Sequence, residues 1–309
     1  MPHLNESASG VFVIAVTPFK EDGSLDLAST DRMVDFYLEK GATGLTVLGM
    51  MGEAPKLTAE EARTFVQRVL RRVDGRVPVV AGVSAPGLAP MGELSRSVMD
   101  EGASGVMVAP TAALRTDDQI YAYYEMVVET LGRTPLVLQD YPLVTNVQIS
   151  VPVLLRIVGS FPTCVMLKHE DWPGLSKISA LRAASGRGEA RRISILVGNG
   201  GLFLPEELGR GADGAMTGFA YPEMMVDVWR AHAAGQTERA RDLFDAYLPL
   251  ARYEQQPGIG LAIRKYILAK RGAIAAGTLR KPGGRLSTAD IAEVEQLMAR
   301  QARRLSAID

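Results

Sequence analysis

Lys168 closes a run of four apolar residues, Cys164-Val165-Met166-Leu167, and His169, Glu170 and Asp171 follow it. If the run is a buried strand, the amine sits where the strand leaves the core. A lysine there either reaches for water along its apolar stem or is held partly dry for chemistry. Desolvation disfavours the charged form of an amine. A neutral amine attacks a ketone and forms an imine, which then withdraws electrons from the neighbouring carbon.

Few other groups accompany it. Gln139-Asp140-Tyr141-Pro142 ends one apolar run, Gly198-Asn199-Gly200-Gly201 a second, and Thr217-Gly218 a third. Gln139, Asp140, Glu170, Ser84 and Thr217 are the polar groups left for proton transfer. Asp140 and Glu170 are candidates for the general base, or else ion-pair partners holding a loop, and the two readings stand level. Tyr141 is a proton donor or a packing residue. The turn Gly49-Met50-Met51-Gly52 offers backbone N–H groups to a carboxylate, although glycines at that spacing also serve simply to turn a chain. Glu53 is read as bonded to the backbone of that turn rather than as an acid or base. His169 should point away from Lys168 by strand alternation. No histidine or carboxylate set has metal-ligand spacing, so neither metal nor diffusible cofactor is expected.

Such residues need a scaffold that gathers strand ends at one rim. Eight short apolar runs, most of them with β-branched residues, read as strands: 11–16, 44–48, 77–83, 105–109, 135–138, 164–167, 193–197 and 214–216. They are apolar on both faces, as parallel strands buried under helices are. Helical periodicity follows each of them, with a capping box at Thr58 to Glu61 and Thr116 or Asp117 as a later cap. Eight consecutive units fit a (β/α)8 TIM barrel, whose chemistry lies at the C-terminal ends of its strands. Lys168 is the sole basic residue in that expected ring. A doubly wound sheet ranks lower, because no strand ends in a dinucleotide-binding glycine signature. Past 235 the strands stop, and 237–250, 260–271 and 288–305 read as helices. The expected organisation is a barrel over 1–235 and a helical extension, 236–309, packed on it.

The 309 residues carry a formal net charge of −1, which gives no electrostatic reason to expect nucleic acid or an acidic membrane as partner. The basic residues Arg63, Arg68, Arg71 and Arg72 read as a solvated helix face. Cys164 is the one cysteine and suits a reducing compartment. No signal peptide is read at the N-terminus, and no apolar run nears the ~20 residues that span a bilayer. A cytoplasmic protein is expected.

The motifs together resemble the dihydrodipicolinate synthase / N-acetylneuraminate lyase family of class I aldolases. The match runs through Thr17-Pro18-Phe19, the turn ending in Glu53, Leu57-Thr58 with Glu61, and Val79-Val80-Ala81-Gly82-Val83. It continues in Pro142, Lys168, Gly211-Ala212-Asp213-Gly214, Gln256-Pro257, Arg264-Lys265 and Leu279-Arg280-Lys281-Pro282. The resemblance implies that Lys168 is the Schiff-base lysine, that the barrel carries a three-helix extension, and that the chain forms a homotetramer, a dimer of dimers.

The departures are as specific. Met50 and Met51 stand where the family has two threonines, and Gln139 stands where it has the strand-five tyrosine. Tyr141 falls one residue late, and one residue on a strand turns a side chain to the other face. The arginine of dihydrodipicolinate synthases falls near Val144, and the tyrosine lent by a neighbouring subunit falls near Thr111-Ala112-Ala113. The usual proton relay is therefore absent. Gln139-Asp140-x-Pro142, Lys168-x-Glu170 and Gly214-Ala215-Met216-Thr217-Gly218 resemble instead the 2-keto-3-deoxy sugar-acid dehydratase branch.

The expected activity is a Schiff-base-forming lyase on a small 2-oxo acid, either a pyruvate-dependent aldolase or a sugar-acid dehydratase. Lys168, Gln139, Asp140 and Glu170 would do the chemistry. Met50, Met51, Gly52, Tyr141, Gly198 and Thr217 would bind substrate. The two methionines suggest a less hydroxylated substrate. The alternative is a regulatory 2-oxo acid binding protein that has lost turnover.

Overall fold

The apolar runs form one closed parallel sheet. A computed structural model describes residues 3–172 and 174–308. The strands are β1 (Gly10–Ile14), β2 (Gly44–Val47), β3 (Val79–Gly82), β4 (Gly105–Val108), β5 (Leu136–Asp140), β6 (Cys164–His169), β7 (Ser194–Val197) and β8 (Gly214–Thr217). Each pairs in parallel with the next, and β8 pairs with β1. The expected (β/α)8 barrel is the fold.

Helices α1 (Leu27–Glu39), α2 (Ala59–Val73), α3 (Leu88–Asp100) and α4 (Asp117–Leu131) follow the first four strands. Thr58 caps α2 in a capping box with Glu61, and Thr116 caps α4 in another with Gln119. After β5 comes a single turn, α5 (Pro142–Thr145), not foreseen from sequence, and then α6 (Val151–Ser160). α7 (Leu175–Gly186), α8 (Leu204–Gly209) and α9 (Pro222–Ala233) complete the ring. The tail is α10 (Thr237–Glu254), α11 (Gly260–Lys270) and α12 (Thr288–Leu305).

Two apolar layers result. One lies between strands and helices, with Val13, Leu45, Leu138, Leu167 and Ile195 facing outward into it. The other fills the barrel, with Phe12, Ile14, Val80, Met107, Val137, Met166, Leu196 and Met216. Gly44 makes room for it, since a Cβ there would stand 2.5 Å from the Phe12 ring. The tail is tied to the rim by buried cations. Lys265 on α11 donates to the Thr17 carbonyl at 2.8 Å, and Arg264 donates to the Gly218 carbonyl at 2.5 Å.

Candidate active site

A bulge decides which way Lys168 points. Cys164 faces the outer layer, so strict alternation would send Met166 and Lys168 outward too. The ladder with β5 pairs Leu136 with Cys164 but Val137 with Met166, so Val165 is an extra residue. That one residue turns Met166 and Lys168 into the barrel. Gln139, two residues past the inward Val137, is paired with Lys168 across the ladder and shares its face. His169 lies on the opposite face, as expected, with Nε2 3.0 Å from the Gly174 carbonyl oxygen.

Lys168 Nζ lies 2.8 Å from Glu170 Oε2. The Gln139 amide donates to the same oxygen at 2.7 Å. All three residues are at most 5% exposed. Glu170 follows the end of β6; its N–H donates to the Asp140 carbonyl, and the Asn199 amide donates to its own carbonyl at 3.2 Å. Gly198 leaves room for the carboxylate, because a Cβ there would stand 2.2 Å from Glu170 Cγ.

The turn after β2 is a short 3-10 helix, Met50–Gly52. The Gly52 N–H is spent on the Gly49 carbonyl and that of Glu53 on the Met50 carbonyl. The Met50 and Met51 N–H groups open the turn, where a helix offers no internal partner. Leu48 and Glu53, on either side, have left-handed backbones with φ 55° and 56°, a conformation that costs a residue with a Cβ. Tertiary bonds hold the turn against that cost. Thr17 Oγ1 donates to the Gly52 carbonyl at 2.5 Å. Glu53 accepts from Lys265 at 2.5 Å, from Lys56 at 2.9 Å and from the Arg280 N–H at 3.1 Å. Burial pulls the Lys265 amine down to about 8 despite that carboxylate. Glu53 thus anchors the turn, but to two lysines and the tail rather than to the turn's own backbone.

These groups surround a cavity of about 150 Å³ at the C-terminal end of the barrel. Met50, Met51, Gln139, Tyr141, Lys168, Glu170 and Thr217 line it. Thr217 Oγ1 accepts the Gly200 N–H at 2.9 Å. The Tyr141 ring centre is 6.0 Å from Lys168 Nζ. The alternation that sent this tyrosine outward no longer applies, because β5 ends at Asp140 and Tyr141 already turns into α5. Burial, with Glu170 nearby, raises the pKa of its phenol above the ordinary value.

Four expectations about the site are corrected. Asp140 does not face the cavity. It alternates outward from Gln139, is fully buried, and accepts from Lys177 of α7 at 2.8 Å. Gly52 lies behind the lining, its carbonyl taken by Thr17. Gly198 does not line the cavity either and serves as space for Glu170. Ser84 is exposed and accepts the Ala109 N–H, away from the amine.

The tail supplies residues that motif reading missed. Arg264 of α11 and Gln255, just past α10, line the cavity, with Asn199, Gly200 and Gly218. Arg264 was visible only as a motif fragment of the extension. Nothing in its spacing says that α11 reaches the rim of the barrel. Among the described residues, no group of three or more histidine, cysteine or acidic residues could hold a metal ion, and no helix is long and apolar enough to cross a membrane.

The model of the Dihydrodipicolinate synthetase family matches residues 7–301. The chain belongs to that family. A dihydrodipicolinate synthase structure from Rhodopseudomonas palustris is 51% identical and superposes with a TM-score of 0.95, covering 97% of this chain and 100% of that one. A 4-hydroxy-tetrahydrodipicolinate synthase of Chlorobaculum parvum is 30% identical over 300 residues, which are 95% of this chain and 98% of the relative. An L-2-keto-3-deoxyarabonate dehydratase of Azospirillum brasilense is 29% identical over 277 residues, 88% of each chain. The family places the chain among lyases of the class I aldolase and dehydratase type.

Proposed function

We propose that this member of the dihydrodipicolinate synthetase family is a dehydratase of a 2-keto-3-deoxy sugar acid, working through an imine on Lys168. The observation that carries the reading is the Glu170 carboxylate, held 2.8 Å from the amine and fixed by Gln139 at 2.7 Å. Gln139, which takes the place of the family's strand-five tyrosine, holds this carboxylate beside the amine. One buried carboxylate beside the imine nitrogen suits a reaction whose proton leaves C3 and returns to a hydroxyl on C4. The likeness to the Azospirillum dehydratase points the same way.

The steps balance on these groups. The Met50–Met51 turn holds the substrate carboxylate through backbone N–H groups. Glu170 takes the proton of the Lys168 ammonium, and the free amine adds to the 2-oxo carbon. Glu170 returns that proton to the carbinolamine hydroxyl, which leaves as water. The iminium acidifies C3, and Glu170 takes the C3 proton to give an enamine. The enamine expels the 4-hydroxyl, which Glu170 protonates, so a second water leaves. One water then hydrolyses the conjugated iminium and frees Lys168. The net change is loss of one water from the substrate. Gln139 keeps the carboxylate in place throughout. A cytoplasmic homotetramer completes the proposal, supported by the family likeness, and sedimentation of the purified chain reads its assembly.

Borohydride reduction with pyruvate, and separately with a 2-keto-3-deoxy sugar acid, tests the reading. A reduced adduct is expected on the Lys168 peptide, with an unsaturated 2-oxo product from the sugar acid. Glu170→Gln should still trap pyruvate, more slowly, while dehydration falls roughly 100-fold or more. No adduct with either compound would overturn the proposal.

A further inference from the structure

The cavity lining is of two unlike kinds. Met50 and Met51 contribute apolar side chains. Arg264 and Gln255 of the tail contribute polar ones, packed against Gly218 and Gly200 just past the ends of β8 and β7. Arg264 is 2% exposed. Its Nε donates to Glu254 Oε1 at 2.6 Å and its Nη2 to the Gly218 carbonyl at 2.5 Å. Its Nη1 has no partner among the described residues, and neither has Gln255 Nε2.

Two glycines bring these donors to the cavity. A Cβ on Gly218 would stand 2.2 Å from Arg264 Nη1, and one on Gly200 would stand 2.2 Å from Gln255 Nε2. The Gly200 N–H bond to Thr217 ties the two positions together. Buried donors are nearly always satisfied, and an orphan at a cavity wall calls for a ligand acceptor.

Charge decides what that acceptor is. Glu254 is fully buried, accepts the Ala220 N–H at 2.9 Å, and already neutralises Arg264. The free edge of the guanidinium therefore offers hydrogen bonds without net charge. A second carboxylate would be stripped of water there, beside Glu254, with no counter-ion of its own. A hydroxyl loses much less on entering and takes the same donors.

We infer that Arg264 and Gln255 read the far end of the substrate, and that this end is neutral and hydroxylated. The substrate is then a 2-keto-3-deoxy acid ending in an alcohol, not a dicarboxylate. The two methionines face its other parts, so they do not make it poor in hydroxyls. The inference rests on the imine chemistry proposed above.

The test measures kcat/KM on the whole protein for two chain-matched 2-keto-3-deoxy acids, one ending in CH2OH and one in a second carboxylate. The alcohol should be preferred by about tenfold or more. Gln255→Leu, which leaves the Arg264–Glu254 pair intact, should lower the ratio of alcohol turnover to pyruvate trapping by about fivefold or more. Equal or better use of the dicarboxylate, or an unchanged ratio in the variant, would overturn this inference while a pyruvate adduct on Lys168 still upheld the imine. Absence of that adduct would remove both.

Discussion

Lys168 Nζ and Glu170 Oε2 are 2.8 Å apart, and their side chains are 6% and 7% exposed. A buried ion pair repays its desolvation poorly but is costly to break from one side. Lys168→Met leaves the Glu170 carboxylate with only the Gln139 amide, and is expected to lose about 3 kcal/mol of stability. Lys168→Met/Glu170→Gln removes both charges and should lose less than the two single losses added, by about 1 kcal/mol or more. Urea unfolding of the four proteins completes the cycle, and strict additivity would show that the pair is not coupled.

Asp140 has a different task. It is fully buried on the outer face of β5, bonded to Lys177, and Lys177 also pairs with Asp171 at 2.7 Å. Asp140→Asn keeps the shape and leaves Lys177 a second carboxylate. The expected loss is about 1–3 kcal/mol of stability, with kcat within about threefold of the parent because the side chain does not reach the cavity. A loss of kcat by two or more orders of magnitude in a folded Asp140→Asn protein would restore Asp140 as a base.

The barrel was legible because eight short runs apolar on both faces, each followed by helical periodicity, leave little other arrangement, and the helix caps at Thr58 and Thr116 are written locally. The side on which Lys168 emerges was not. Cys164-Val165-Met166-Leu167 is apolar throughout, so neither face is marked, and a bulge at Val165 leaves no trace in such a run. Lys168 lines the cavity because of that bulge, which periodicity alone does not contain. Asp140 went the other way, because its position beside Pro142 does not show that strand alternation turns it outward onto Lys177, whereas Tyr141 has already left the ladder and lines the cavity. Arg264 and Gln255 depend on how the tail docks, which is tertiary and has no local signature.

Glu207 on α8 should make stability depend on pH. Burial, and then Glu206 beside it, push its carboxyl from the ordinary 4.5 up to about 8. Its Oε2 has no partner among the described residues, as suits a protonated acid. Between those two values the folded chain keeps a proton that the unfolded chain has released, so stability falls as pH rises. The contribution is complete below about pH 4.5 and gone by about pH 8, on the order of 5 kcal/mol. Glu207→Gln removes this slope. Denaturant unfolding at pH 5 and pH 8 should show the parent losing more stability than the variant, and parallel losses would mean that Glu207 is ionised in the fold.

Gly198 tests the geometry of the carboxylate without touching its chemistry. Its φ is −112°, outside the positive range that favours glycine. What forbids a side chain is Glu170, whose Cγ would lie 2.2 Å and Oε1 2.5 Å from a Cβ. Gly198→Ala must therefore push Glu170 off its place between Lys168 and Gln139, at a cost of about 1–3 kcal/mol in overpacking. A displaced proton carrier should reduce dehydration about 10- to 100-fold. Borohydride trapping of pyruvate should fall less, because the two proton transfers of imine formation run between nitrogen and oxygen and can also pass through water, whereas dehydration needs the carboxylate in place to take the proton from C3. Measuring both rates on the same preparation separates the outcomes. Equal falls would point to a general loss of the site, and a folded variant with unchanged dehydration would show that Glu170 does not work from the position it occupies.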